Sequence, residues 1–376
     1  MKCAIPRAGL LLLAFLSLGG AGGCSLFSAK PSIPSAPEFA PSAAFDTAWS
    51  SDIGSAGVYA FTPASSGISM FVAANNGAIA RLDAGRETWR INTKAKLSAG
   101  VGVGGGRLVV GSEEGDVLAY DLDGKPLWQA KVSSEIIAAP VANDKLVLVR
   151  TTDNRIHALN ASDGKRRWVF QRSAPPLVMR NAGSILLTDS VAYAGFAGGK
   201  LVAIDLANGG PNWEATIAFP RGATELERVA DVAGEPVSAA RSICAVAYQG
   251  RIGCADQQSG AVAWARNMSS ANGLAVDGRT LFFSDEAGNI FALDATTGAT
   301  LWRQDKLAGR SPSRPAVISR GVVVVDGEGV VYLLSSSDGN LLAADRGGRL
   351  AAPPLAVEGA IVLQEASGRV RALTAK

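Results

Sequence analysis

The sequence predicts an all-β fold, an eight-bladed β-propeller of four-stranded antiparallel blades, closed by an N-terminal strand that completes the C-terminal blade. Three observations carry that expectation: a recurring strand–turn–strand phrase, evenly spaced tryptophans, and two chain ends that each lack what the other holds. The phrase is clearest from Ile290 to Trp302, where an alternating apolar run breaks at Asp294, turns at Gly298 and resumes toward Trp302. Copies run from Val117 to Trp128, Ile156 to Trp168 and Leu201 to Trp213, with weaker ones from Ile79 to Trp89 and Ile252 to Trp264. Val331 to Ala343 keeps Gly339 but has Ala343 where the tryptophan is due.

All seven tryptophans, Trp49, Trp89, Trp128, Trp168, Trp213, Trp264 and Trp302, lie on this lattice at intervals of 40, 39, 40, 45, 51 and 38 residues. Periods of about 40 residues with about four short strands each mark propeller blades. Trp49 has no strand phrase before it, and Val370 to Leu373 has no tryptophan after it. A strand over residues 44–51 is therefore expected to finish the blade begun by residues 351–375, which hides the two edges an open array would expose.

Within one period, residues 89–92 read as an outer strand and 98–104 as the innermost strand of the next blade. Residues 107–111 and 116–121 follow as second and third strands, before a turn at Gly124. Pro140, Pro236, Pro315 and Pro353 fall at innermost positions, where one strand edge faces the channel and needs no partner. Asp83, Asp121, Asp205, Asp256 and Asp294 stand where turns begin, so their carboxylates are expected to accept backbone N–H bonds rather than to catalyse. The tryptophans are expected to fill the space between blades.

One such ring uses nearly all 376 residues, with 48% hydrophobic and only 18% charged residues, so the domain reading is one propeller over 44–376. Residues 1–23 read as a lipoprotein signal peptide: Lys2 and Arg7, an apolar stretch from Ala8 to Leu18, and small residues before Cys24. Ala21-Gly22-Gly23-Cys24 resembles a bacterial lipobox, which makes Cys24 the expected lipidation site, and Ser25 after it fits sorting to the outer membrane. Residues 24–43, with Pro31, Pro34, Pro37 and Pro41, read as an extended tether. Loss of Lys2 and Arg7 with the leader lowers the formal charge from +3 to +1, which is no nucleic-acid footprint.

The two lengthened periods place enlarged interblade loops at 171–183 and 218–236, on neighbouring blades and one face. Leu177, Val178 and Met179 lie between Arg172 and Arg180, a composition suited to an interface, with the start of a core strand as the alternative. Arg221 to Asp231 is charged and suited to pairing with a partner, through Arg221, Glu225, Arg228 and Asp231.

Chemistry is sparse. His157, the one histidine, falls inside the strand phrase and reads as a structural or surface residue, not a base or ligand; no His/Cys metal cluster and no nucleophile motif is present. Cys244 and Cys254 fall opposite one another if the hairpin turns around Gln249 with Gly250 left-handed, so they form either a disulfide or two core thiols.

The repeat Ala-x-Asp-x-x-x-Gly-x-x-x-Trp resembles the tryptophan-docking motif of quinoprotein propellers. With the lipobox, the Pro/Ser tether, the eight repeats and the segment Arg221 to Asp231, the chain resembles the BamB family of outer-membrane protein assembly lipoproteins. That resemblance implies a non-enzymatic scaffold, without cofactor or metal, on the periplasmic face of the outer membrane. Its partners would be the POTRA domains of BamA, other assembly-machinery subunits and unfolded outer-membrane protein precursors. It also implies a BamA contact through Leu177, Met179 and Arg180 and an acidic site at Asp231; the family's second acidic residue is Ala233 here. The alternatives are a pyrroloquinoline-quinone dehydrogenase, which shares the propeller, and a periplasmic propeller with another partner.

Overall fold

A computed structural model describes residues 33–173, 175–180 and 183–376; the leader, Cys24 and the first part of the tether lie outside them. In the seventh blade the second and third strands are continuous apolar runs, Gly321–Val325 and Val330–Leu334, because a blade packed on both faces has no wet side to alternate toward. Outer strands such as Arg86–Asn92 and Arg166–Gln171 keep a largely exposed, period-two pattern.

Among the described residues the strands form eight four-stranded antiparallel sheets. In the second blade Gly102–Gly104, Arg107–Gly111, Asp116–Asp121 and Pro126–Lys131 succeed one another outward, the innermost strand being shorter than the expected 98–104. Phe45–Asp52 pairs with Arg369–Ala375, from Phe45 opposite Ala375 to Asp52 opposite Arg369, and so supplies the outer strand of the last blade. Eight apolar clusters each lie between successive blades. One of them joins Met70, Val72 and Ala80 of the first blade to Val362, Val370 and Ala372 of the last, and that closes the ring. Gln364 Nε2 donates to Ala73 O at 2.8 Å across the same seam.

The indoles fasten each blade to the next. Trp89, Trp128, Trp168, Trp213, Trp264 and Trp302 donate Nε1–H to the carbonyls of Leu122, Ala161, Leu206, Gln257, Ala295 and Ser336, at 2.8–3.1 Å. Each ring lies over the turn glycine of that neighbour. At Gly298 (φ +72°) a Cβ would sit 2.5 Å from Trp264 Cε3, so both the backbone conformation and the ring demand glycine.

Ala343 has a physical reason. The last blade takes its outer strand from the chain start, so it has no third-to-outer turn on which an indole could rest. Ala43 and Phe45 pack there instead, beside the buried Ala343. Volume is exchanged across the strands: Ala292 faces Trp302 in the sixth blade, whereas Leu333 faces Ala343 in the seventh.

The described end of the expected tether packs on the ring. Phe39 packs on the core between the sixth and seventh blades, and the N–H groups of Ser42 and Ala43 both donate to Leu342 O, at 2.9 and 3.1 Å. The Pro34 carbonyl accepts from the Arg310 guanidinium. Arg310, 3% exposed, donates through Nε to Asp326 Oδ2 at 2.7 Å, and the Tyr332 hydroxyl reaches the same oxygen at 3.2 Å. Val330 N and Glu328 N donate to Asp326 Oδ1, both at 2.9 Å. Burial, then the charge of Asp326, pushes the Tyr332 hydroxyl up to about 12.

Four of the five turn aspartates behave as expected, as where Asp294 Oδ1 accepts from Thr296 N and Thr297 N. Asp83 departs: its turn is only Ala84-Gly85, both left-handed, which leaves no spare N–H, and its carboxylate binds Arg81 and Thr88, each at 3.0 Å. Cys244 and Cys254 face each other in register and are joined by a disulfide, with Cα atoms 4.0 Å apart. The left-handed residue of that hairpin is Gln249 (φ +48°), not Gly250. Gly250 is required for a different reason, since a Cβ there would lie 2.7 Å from Ala218 Cβ.

His157 is buried beside Ser133, its Nε2 3.0 Å from the hydroxyl. Burial holds its pKa below the ordinary 6.5, with Asp153 opposing and Arg155 and Arg166 adding to the depression. The folded chain thus keeps the neutral ring while the unfolded chain takes up a proton near 6.5. The stabilisation is complete above that pH and is lost as pH falls toward the folded value. His157→Gln is expected to remove the part of the stability loss that this ring causes as pH falls below about 6.5, by urea midpoints of variant and parent measured on both sides of that pH.

Candidate partner-binding face

Strands alternate in direction, so the loops between second and third strands and the loops between blades emerge on one face. The enlarged loops meet there. Asp231, 5% exposed, accepts from Met179 N at 2.6 Å and from Gly198 N at 3.2 Å, which pins the loop after the third blade to the loop before the fifth. Behind this junction Arg150 donates to Gly183 O at 3.1 Å and lies 4.9 Å from the Phe196 ring centroid. Burial pushes the Arg150 guanidinium down to about 10, against the favourable charge of Asp231. A cleft of about 330 Å³ opens beside it, lined in part by Thr151, Val178, Met179 and Arg180.

Leu177 and Val178 are 46% and 39% exposed, and the innermost strand that follows begins only at Ile185, so the loop is not part of a core strand. Met179 is half-buried. Arg180 projects from the loop, donates to Glu135 at 2.6 Å and stacks 5.7 Å from the Tyr59 ring, whose hydroxyl donates to the same carboxylate at 3.0 Å. Glu135 and Tyr59 come from other interblade loops, so no local pattern in the sequence announces them.

The second loop presents Arg221, Glu225 and Arg228 to solvent, Glu225 and Arg228 paired at 3.4 Å. Asp231 belongs to the inside: both its oxygens hold backbone N–H groups, so its part is to set the loops. Ala233 is buried. Among the described residues no group of three or more His, Cys, Asp or Glu is placed to hold a metal ion.

A model of the family described as outer membrane protein assembly factor BamB matches residues 75–304 and 286–376. The chain belongs to the BamB family. BamB of Bordetella pertussis is 38% identical over 372 residues, covering 96% of this chain and 95% of that one. BamB of Escherichia coli K12 is 31% identical over 393 residues, covering 97% and 98%. The crystal structure of BamB from Moraxella catarrhalis superposes with a TM-score of 0.82 at 23% identity, over 88% of this chain and 99% of that one. A quinohemoprotein alcohol dehydrogenase from Comamonas testosteroni gives a TM-score of 0.69 at 14% identity, over 88% of this chain and 76% of that chain, which is a likeness of fold alone. BamB membership thus sets the chain among outer membrane protein assembly factors, not among the dehydrogenases that share its ring.

Proposed function

We propose that the protein is a non-enzymatic scaffold of the outer-membrane β-barrel assembly machinery that binds the POTRA domains of BamA through the face described above. Cys24 carries the lipid that holds it on the periplasmic side of the outer membrane, and the rigid ring organises precursor barrels beside BamA and its fellow subunits. The observation that carries this reading is the pinned pair of loops, which displays Leu177 and Val178 beside the projecting Arg180. Apolar residues held exposed next to a cation on a rigid support form a contact surface, not a core.

Arg180→Glu with Leu177→Asp is expected to abolish co-purification with BamA, a loss of about 30-fold or more in affinity if these are central contacts. Both side chains are solvent-exposed, so thermal unfolding should move by no more than about 1 kcal/mol. Undiminished recovery of BamA with the double variant would refute the assignment.

A further inference from the structure

We propose that residues 34–43 form a strap that carries the lipid attachment across the ring, so that the anchor leaves from the face bearing Leu177 and Arg180 and holds that face nearer the bilayer. The inference rests on the reading of Cys24 as the lipid carrier and deepens it by naming the exit point. A proline-rich segment before a domain is by default a plain spacer. This one is fastened at three points.

At its C-terminal end Ser42 N and Ala43 N donate to Leu342 O. Leu342 is the second residue of the outer strand Leu341–Arg346, just past the turn from the third strand, so this fastening lies on the face opposite the partner loops. Midway, Phe39 packs against the cluster that holds Phe282, Trp302 and Tyr332. At the far end Arg310 Nη1 donates to Pro34 O. Arg310 lies in the loop between Thr300–Gln304 and Ala316–Ile318, and Asp326 in the turn between Gly321–Val325 and Val330–Leu334. Interblade loops and second-to-third turns emerge on the partner face, so the strap has crossed from one face to the other. Eight residue steps from Ser42 to Pro34 reach about 26–29 Å, more than the roughly 17–20 Å height of a strand of five or six residues.

The fastening at the exit is buried. The Arg310 side chain is 4% exposed, and its Nε is committed to Asp326 Oδ2 at 2.7 Å, which leaves Nη1 for the strap. Without Pro34 that donor would lose its acceptor at a buried position, so the pair favours the docked strap. Gly309 (φ +75°) lets the proline ring come close, since a Cβ there would sit 3.0 Å from Pro34 Cγ.

Ten residue steps join Cys24 to Pro34, so the exit stands no more than about 36 Å from the lipid; released back to Ala43, nineteen steps would allow about 68 Å. The exit lies between the sixth and seventh blades, three blades round the same face from the loop that carries Leu177. Lipid and partner loops are thus two attachments of one rigid body, and a short leash raises the effective concentration of the second once the first is made.

The test places the full lipidated protein on phosphatidylethanolamine/phosphatidylglycerol vesicles that carry an acceptor-labelled lipid. A donor fluorophore is attached at Glu328→Cys or Ser337→Cys, exposed positions of the seventh blade on the partner face and the opposite face. With Cys24 acylated and Cys244 joined to Cys254, the introduced thiol is the one that reacts. Energy transfer from position 328 is expected to exceed that from position 337 by about 2-fold or more, and the ratio to fall to about 1 in Arg310→Met and in Phe39→Ser, where the leash lengthens. Phe39 is only half-buried and leaves the Arg310–Asp326 pair intact, so Phe39→Ser gives the result should Arg310→Met not fold. Equal transfer from both positions with the acyl mass present on Cys24 overturns the strap and leaves the lipid reading standing. A ratio that survives both substitutions in folded protein also overturns it. Absence of acyl mass on Cys24 removes the lipid reading and the strap proposal with it.

Discussion

Arg310→Met is expected to lower the free energy of unfolding by about 3–5 kcal/mol, because removing one member of a buried ion pair strands the other charge. The pair is as buried as any in the ring: the side chains of Arg310 and Asp326 are 4% and 0% exposed. The surrounding donors, Val330 N, Glu328 N and the Tyr332 hydroxyl, stay in place and cannot supply the missing positive charge. Adding Asp326→Asn removes that charge and should restore much of the loss, which a double-mutant cycle in urea would read directly. Arg310 also binds the Pro34 carbonyl, so the same substitution should make the segment before the first strand more sensitive to limited proteolysis near Phe39. By contrast the half-exposed Arg228–Glu225 pair should contribute no more than about 0.5 kcal/mol. An Arg310→Met protein as stable as its parent would show that the anchor is decorative.

Trp302→Ala is expected to cost about 3–5 kcal/mol, the range for truncating a buried aromatic. The indole is 8% exposed, lies 5.8 Å from the Phe282 ring and packs into the core shared by the sixth and seventh blades. Its loss also leaves the Ser336 carbonyl without its donor. Trp49→Ala should cost less, since that indole is only half-buried. Denaturant unfolding followed by far-ultraviolet circular dichroism compares the two without relying on tryptophan fluorescence, and equal losses would contradict the blade-to-blade account.

How much of this was legible beforehand depends on range along the chain. The strand bounds Arg107–Gly111 and Asp116–Asp121 follow from local apolar runs and turn residues, and they appear in the fold as read. The pairing of Phe45–Asp52 with Arg369–Ala375 was legible because each end carries half of a repeated unit. The exposed Leu177 and Arg180 were visible as an apolar–basic phrase inside an overlong period. Glu135, Tyr59 and Arg150 were not, because they reach the face from other interblade loops and other strands, and sequence spacing carries no record of that proximity.

Asp231 shows the same divide in one residue. Its acidity within a charged segment suggested an outward contact, yet its surroundings turn the carboxylate inward, onto Met179 N and Gly198 N. By itself the sequence determined the number of blades, the closure of the ring and the faces of its loops, since those follow from periodicity in apolar residues, turn residues and tryptophan. The tertiary structure alone decided which charges are buried, which loops touch and why Ala343 replaces an indole. Burial and contact are properties of distant residues brought together by packing, and no residue's neighbours along the chain encode them.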